Sequence, residues 1–191
     1  MLDSEIVIVS GLPRSGTSLM MQMLDQGGLE VVTDQVRTPD TDNPRGYYEF
    51  EIVKKIKQDT SWLPATRGKA FKMVSQLLYD LPASEQYRIV FMERDLDEVL
   101  ASQEKMLIRL GRPVAAREEM KKLYVQHLER LHAWLRKQPN MAVLSVRYQD
   151  VIELPREAAG LVAEFLGGKA DVEGMVRAVE PSLYHNRKAR N

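Results

Sequence analysis

The chain has 191 residues, 44% hydrophobic and 28% charged, a composition that fits one soluble globular domain spanning 1–191 with a sizeable core. Lys plus Arg number 27 and Asp plus Glu number 27, and this balance argues against a large nucleic-acid surface. The lack of cysteine excludes disulfides and thiolate nucleophiles and fits a reducing, cytoplasmic setting; no apolar run is long enough for a signal peptide or a membrane span, so neither nucleic acid nor membrane is expected as a partner.

The first predicted element is a strand over 5–10, built on Ile6-Val7-Ile8-Val9. It runs into Gly11-Leu12-Pro13-Arg14-Ser15-Gly16-Thr17-Ser18 and then a helical apolar pattern over 15–26, stopped by Gly27-Gly28. Strand, Gly-rich loop and helix in that order form the context in which backbone N–H groups at a helix N-terminus hold a phosphate. In a loop specialised for nucleoside triphosphates, Gly16 would be followed by Lys; here Thr17-Ser18 follow directly and the basic residue is Arg14. The loop suits an anion other than the β- and γ-phosphates of ATP.

Further along, 29–33 reads as a short strand and 33–45 as a polar loop with Pro39 and Pro44. A helix is expected over 49–58 from Phe50, Val53 and Ile56, and a strand over 69–74. Tyr87 to Met92 form a strong strand candidate, followed by a helix to about 110 whose N-cap is Asp95, with Glu98 placed as in a capping box. A long amphipathic helix covers 115–137, a strand 141–146, and a helix opened by Pro155 ends at Gly167. Alternating strands and helices predict an α/β fold with a central, mostly parallel sheet flanked by helices in three layers, a P-loop-like arrangement with ligands at the carboxyl ends of the strands.

Arg94 directly follows a predicted strand, so it shares a sheet edge with the Gly11–Ser18 loop, and Ser102 lies eight residues on, about two helical turns away. An arginine and a hydroxyl so placed can clamp one phosphate; a surface arginine and an ordinary helix serine are the plainer alternative.

Pro13-Arg14-Ser15-Gly16-Thr17-Ser18-Leu19 resembles the loop of sulfotransferases that holds the 5′-phosphosulfate of 3′-phosphoadenosine-5′-phosphosulfate (PAPS), and its wider form is closest to the tyrosylprotein sulfotransferase type. Arg94 and Ser102 match that family's 3′-phosphate pair, and Arg147-Tyr148-Gln149-Asp150-Val151 with Phe165-Leu166-Gly167 resembles its "R-Y-E-D-L … F-L-G" segment. The resemblance implies a PAPS-dependent sulfotransferase of bacterial type that needs no metal and acts on a hydroxyl or amine of a small-molecule or peptide acceptor. Under it Arg14 contacts the leaving phosphate, the backbone of Ser15, Gly16, Thr17 and Ser18 holds the 5′-phosphate, Tyr148 packs near the nucleotide or in the core, and Lys72 approaches the transferring sulfonate.

The base is not carried over, because the position of the cytosolic enzymes' histidine holds Val74. The spacing of the tyrosylprotein enzymes' glutamate ends at Gln35, beside Asp34, so Asp34 is the first candidate and Glu49 the second, with loop capping as the alternative role for each; Arg37 has the spacing of a further active-site arginine. The tail 186–190 faintly resembles the "R-K-G" element, with Ala189 in place of glycine. His127 and His132 are expected to pack rather than to ligate a metal. Two other functions fit the same loop: a P-loop kinase for a small molecule or nucleotide, and a nucleotide-binding module without turnover.

Overall fold

The computed structural model describes residues 2–34 and 46–180. Four strands, β1 (Ile6–Gly11), β2 (Ala70–Val74), β3 (Tyr87–Glu93) and β4 (Met141–Arg147), form one parallel sheet in the order β2-β1-β3-β4. β1 is buried along its whole length because it pairs on both edges and is covered on both faces, which is why its sequence is a continuous apolar run rather than an alternating one. Within the run the side chains still alternate. Val7 and Val9 face a cluster with Met20, Met23 and Leu24, whereas Ile6 and Ile8 face one with Phe71, Phe91, Leu131 and Leu135.

The first cluster packs α1 (Thr17–Gln26), α4 (Tyr148–Glu153), α5 (Pro155–Phe165) and α6 (Val172–Arg177) on one face; the second packs α3 (Arg117–Leu135) on the other, and α2 (Leu96–Arg109) joins α3 through Val99, Leu100 and Tyr124. The expected α/β sheet flanked by helices is therefore present. From β1 the chain moves outward to β2 by way of α1; from β3 it moves the opposite way to β4 by way of α2 and α3. The carboxyl ends of β1 and β3 are thus a topological switch point, where diverging loops open a crevice.

Two expectations need correction. Residues 29–33 make only the single parallel bridge Val31 to Ala70, because the chain then turns away and Thr33 and Asp34 bond to the Glu49 carbonyl instead. The helix expected over 49–58 is a short 3-10 helix, Glu51–Lys55. Its apolar residues recur every three positions, the 3-10 period, and Val53 N–H to the Phe50 carbonyl and Ile56 N–H to the Val53 carbonyl are i to i+3 bonds. α4 and α6 were not anticipated; each has only six residues, too few for a periodic signal, and Pro155 separates α4 from α5.

Candidate active site

The loop from β1 to α1 crosses the carboxyl edge of the sheet at the switch point. Gly16 is the N-cap of α1 in a left-handed conformation, φ 101°, and no side chain caps the helix there. A Cβ on Gly16 would lie 2.3 Å from the Tyr148 ring, so both backbone and packing require glycine. Ser15 donates its N–H to the Leu12 carbonyl at 3.1 Å, while its hydroxyl is buried with no hydrogen-bond partner among the described residues. Arg14 also has a left-handed backbone, φ 71°, an uncommon state for a residue with a Cβ and one that clusters at functional sites. A helix N-terminus without a side-chain cap among the described residues, an orphan hydroxyl beneath it and a strained arginine beside it are features that a phosphate-bearing ligand fits.

Arg14 Nε donates to Ser102 Oγ at 2.9 Å, a contact between residues 88 apart in sequence. Arg94 donates from one terminal nitrogen to the Arg14 carbonyl at 3.2 Å, pairs through Nε with Glu98 at 3.0 Å, and sits 4.4 Å above the centre of the Tyr148 ring. The Arg94 and Glu98 side chains are only 8% and 10% exposed, so the pair is interior and a lost partner would leave a buried charge. Burial pushes the Tyr148 phenol up, which keeps the ring neutral under the guanidinium. Asp95 does cap α2, accepting from the N–H groups of Asp97 and Glu98, and the Glu98 carboxylate is used on Arg94. Arg94 and Glu98 are spaced i to i+4 on the sequence, a signal for this pair that the capping-box pattern hid.

Lys72 projects from β2 toward α1, where its ammonium donates to Ser18 Oγ at 3.3 Å and to the Tyr47 carbonyl; Ser18 Oγ donates to that same carbonyl at 3.2 Å. The structure therefore brings Arg14, Ser15, Gly16, Ser102, Arg94 and Tyr148 together around the loop and sets Lys72 against Ser18 in the first turn of α1. Val74 ends β2 and is 40% exposed. Asp34 accepts the Glu51 N–H at 2.5 Å and donates its own N–H to the Glu49 carbonyl at 3.1 Å, so Asp34 and Glu49 are neighbours and Asp34 serves the entry of a 3-10 helix. Gln35, Arg37, the prolines Pro39 and Pro44, and the tail 186–190 lie outside the described residues.

The aromatic residues of this segment divide. Phe50 and Trp62 stack edge-on at 5.4 Å and both reach Phe71, which makes them core, while the Tyr48 hydroxyl donates to Asp25 at 2.9 Å. His127 is hydrogen-bonded through Nε2 to the buried hydroxyl of Ser75 at 2.9 Å, and His132 rests on the Phe91 ring. Among the described residues no group of three or more His, Cys, Asp and Glu side chains could hold a metal ion, and no helix is long and apolar enough to cross a membrane. A cavity of about 350 Å³ lies on the α3 side of the loop, lined by Leu12, Ser15, Phe91, Val99, Leu128 and His132, which sequence patterning gave no means to foresee.

The model of the sulfotransferase domain family matches residues 4–191. A search of curated proteins finds no match. Among solved structures, a sulfotransferase from Alicyclobacillus acidocaldarius has a TM-score of 0.50 at 15% identity, covering 85% of this chain and 81% of that one, a likeness of fold alone. An unliganded sugar kinase from Janibacter sp. HTCC2649 has a TM-score of 0.43 at 13% identity, covering 94% of this chain and 98% of that one, below the level that informs either fold or function. With a family match over nearly the whole length, laid on a parallel sheet whose switch point carries the loop, the chain belongs to the sulfotransferase domain family.

Proposed function

We propose that the chain, acting as one domain, transfers a sulfuryl group from PAPS to a hydroxyl or amine of a small-molecule or peptide acceptor. The observation that carries this reading is the contact between Arg14 Nε and Ser102 Oγ at 2.9 Å, because it draws the two anion motifs into one basic cluster at the switch point. PAPS supplies the activated sulfuryl group and a leaving phosphate. The backbone of the loop and the hydroxyls of Thr17 and Ser18 hold the 5′-phosphate at the N-terminus of α1, where the helix dipole favours negative charge. Ser102 and the Arg94 guanidinium read the 3′-phosphate, and Tyr148 backs Arg94 and the loop.

Arg14, freed from Ser102, meets the charge that grows on the leaving phosphate, and Lys72 does the same for the sulfonate. In-line transfer of this kind asks the protein mainly for positioning and charge stabilisation. Asp34 takes the acceptor proton, with Glu49 as the alternative. Their support is the backbone bond from Asp34 to the Glu49 carbonyl, which sets them side by side.

Calorimetry with 3′,5′-ADP, 5′-AMP and ATP tests the donor. Charge-assisted bonds to the 3′-phosphate should make 3′,5′-ADP tighter than 5′-AMP by on the order of 10- to 100-fold. Equal affinities would remove the second anion site, and preferential ATP binding would turn the reading toward a kinase. Arg14→Ala should cut transfer by on the order of 10²- to 10³-fold while weakening 3′,5′-ADP far less. Donor binding without transfer across a broad acceptor panel would reduce the protein to a binding module.

A further inference from the structure

The cavity of about 350 Å³ beside the loop lies where four elements meet: the loop itself, the end of β3, the start of α2, and α3. From α3 it takes Val125, Leu128, Glu129 and His132, spaced i, i+3, i+4 and i+7, so one helix face closes that side. Leu12, Phe91, Leu96 and Val99 continue the apolar wall. Leu12, Phe91 and Val99 are buried, whereas Val125 is 38% exposed, the Glu93 side chain is 40% exposed and Glu129 is exposed. The floor is therefore apolar, and two carboxylates stand at the open side. The volume is at the small end of the range for ligand pockets, roughly 300–1,000 Å³. It suits one ring or a short aliphatic body rather than a length of peptide. Water against such a wall makes few hydrogen bonds, so an apolar body displaces it favourably.

The cations around the cavity are directed elsewhere. Arg94 lines it but is held by Glu98 and the Tyr148 ring. Lys121, one turn before Val125 on α3, binds both oxygens of Asp97 at 2.9 Å. Arg147, paired with Glu93 in the sheet register, gives Nε and a terminal nitrogen to Asp150. Arg130 follows Glu129 in sequence, and successive residues of a helix do not face each other. The nearest titratable neighbour of Glu93 on α3 is His132, with Nε2 at 3.9 Å, and Glu129 makes no hydrogen bond or ion pair among the described residues. We propose that this cavity binds a small organic cation, its apolar body against the wall and its protonated amine between Glu93 and Glu129. A carboxylate makes a charge-assisted hydrogen bond to an ammonium group, which a neutral ligand of the same shape lacks. Leu12 and Ser15 belong to the loop, so the occupant lies beside whatever anion the loop holds, and the proposal does not depend on which anion that is.

Titration of the full chain with three probes of one shape, followed by NMR, tests the proposal without donor or acceptor. The probes are 2-phenylethylamine, neutral 2-phenylethanol and anionic 3-phenylpropionate. The amine should bind with Kd on the order of 1 mM or tighter, about 10-fold more tightly than the alcohol, and the carboxylate most weakly. Glu93→Gln combined with Glu129→Gln should bring the amine down to the level of the alcohol and leave the alcohol unchanged. Val125→Trp, at a partly exposed position, should fill the cavity and abolish binding of both. Val125→Lys, which sets a cation four residues from Glu129, should weaken the amine alone and serves if the larger side chain disturbs the fold, as thermal unfolding would reveal. No binding of the amine, equal affinity for amine and alcohol, or amine binding unmoved by Val125→Trp and by Val125→Lys would overturn the proposal. None of these measurements involves 3′,5′-ADP, so this site and the sulfuryl-transfer reading stand or fall separately.

Discussion

The loop after β1 and the segment around Asp34 and Glu49 border the same end of the sheet but are held by different means. Around the loop, the ties are side-chain contacts in the interior, most of them between residues far apart in sequence: Arg14 with Ser102, Arg94 with the Tyr148 ring, Gly16 against that ring, and, over a short span, Arg94 with Glu98. Around Asp34 the ties run to backbone groups nearby, the Glu49 carbonyl and the Glu51 N–H, at an exposed site. The first region is part of the packed body, so changes in it should be felt as stability. The described ties of Asp34 reach backbone groups at an exposed position, so a change of that side chain should disturb the core less. Under the proposed function, the first construction suits a donor site that serves one ligand, and the second suits an acceptor site that must adapt.

The largest effect expected from this contrast is in Gly16→Ala. It combines a backbone at φ 101° with a methyl 2.3 Å from the Tyr148 ring, and should cost about 3 kcal/mol of stability and most of the affinity for 3′,5′-ADP. Adding Tyr148→Ala to Gly16→Ala should return the steric part but not the backbone part, so thermal unfolding of the single and double variants separates the two causes. A Gly16→Ala protein with unchanged stability and binding would show that the loop is not held as the packing indicates.

Asp34→Asn comes next. It keeps the shape and an oxygen that accepts the Glu51 N–H, so stability should fall by about 1 kcal/mol at most, while transfer falls on the order of 10²-fold with 3′,5′-ADP binding intact. Full activity in that variant would pass the role to Glu49, and a large loss of stability would mean that the segment belongs to the packed body after all.

The smallest effect concerns pH. Burial, with a lesser contribution from His132, holds the His127 imidazole below its ordinary 6.5, so the folded state favours the neutral ring bonded to Ser75. The unfolded chain then binds the extra proton first. The contribution is complete above about pH 6.5 and is lost as the pH falls through the folded value. Unfolding followed from pH 8 to pH 5 should show stability declining on the acid side, and His127→Gln should flatten that decline. An unchanged slope would assign it to other groups.

Much of this was legible because the signals are local. A β-branched run, a Gly-rich loop and a helical pattern specify the β1–loop–α1 unit, since each is a property of neighbouring residues. The Asp95 cap and the strands β2, β3 and β4 could be read for the same reason. The spacing of Phe50, Val53 and Ile56 was visible too, but its period of three marks a 3-10 turn rather than an α-helix. α4 and α6 escaped because six residues carry less than two turns of pattern, and the strand at 29–33 shrank to one bridge because competing bonds to Glu49 drew the chain away.

Residue chemistry and order along the chain, then, determined by themselves the α/β class, the strand–loop–helix unit of β1 and α1 and the candidates Arg14, Lys72, Arg94 and Ser102. Only the tertiary structure decided that β1 and β3 send their chains to opposite sides, which opens the crevice between them. It likewise decided that Arg14 meets Ser102 across 88 residues, that Glu98 and Tyr148 hold Arg94, and that Ser18 shares the Tyr47 carbonyl with Lys72. The physical reason is that a local pattern limits the conformation of its own segment, whereas the meeting of distant side chains depends on sheet order and on which face each crossover covers, and these are set by the packing of the whole core at once.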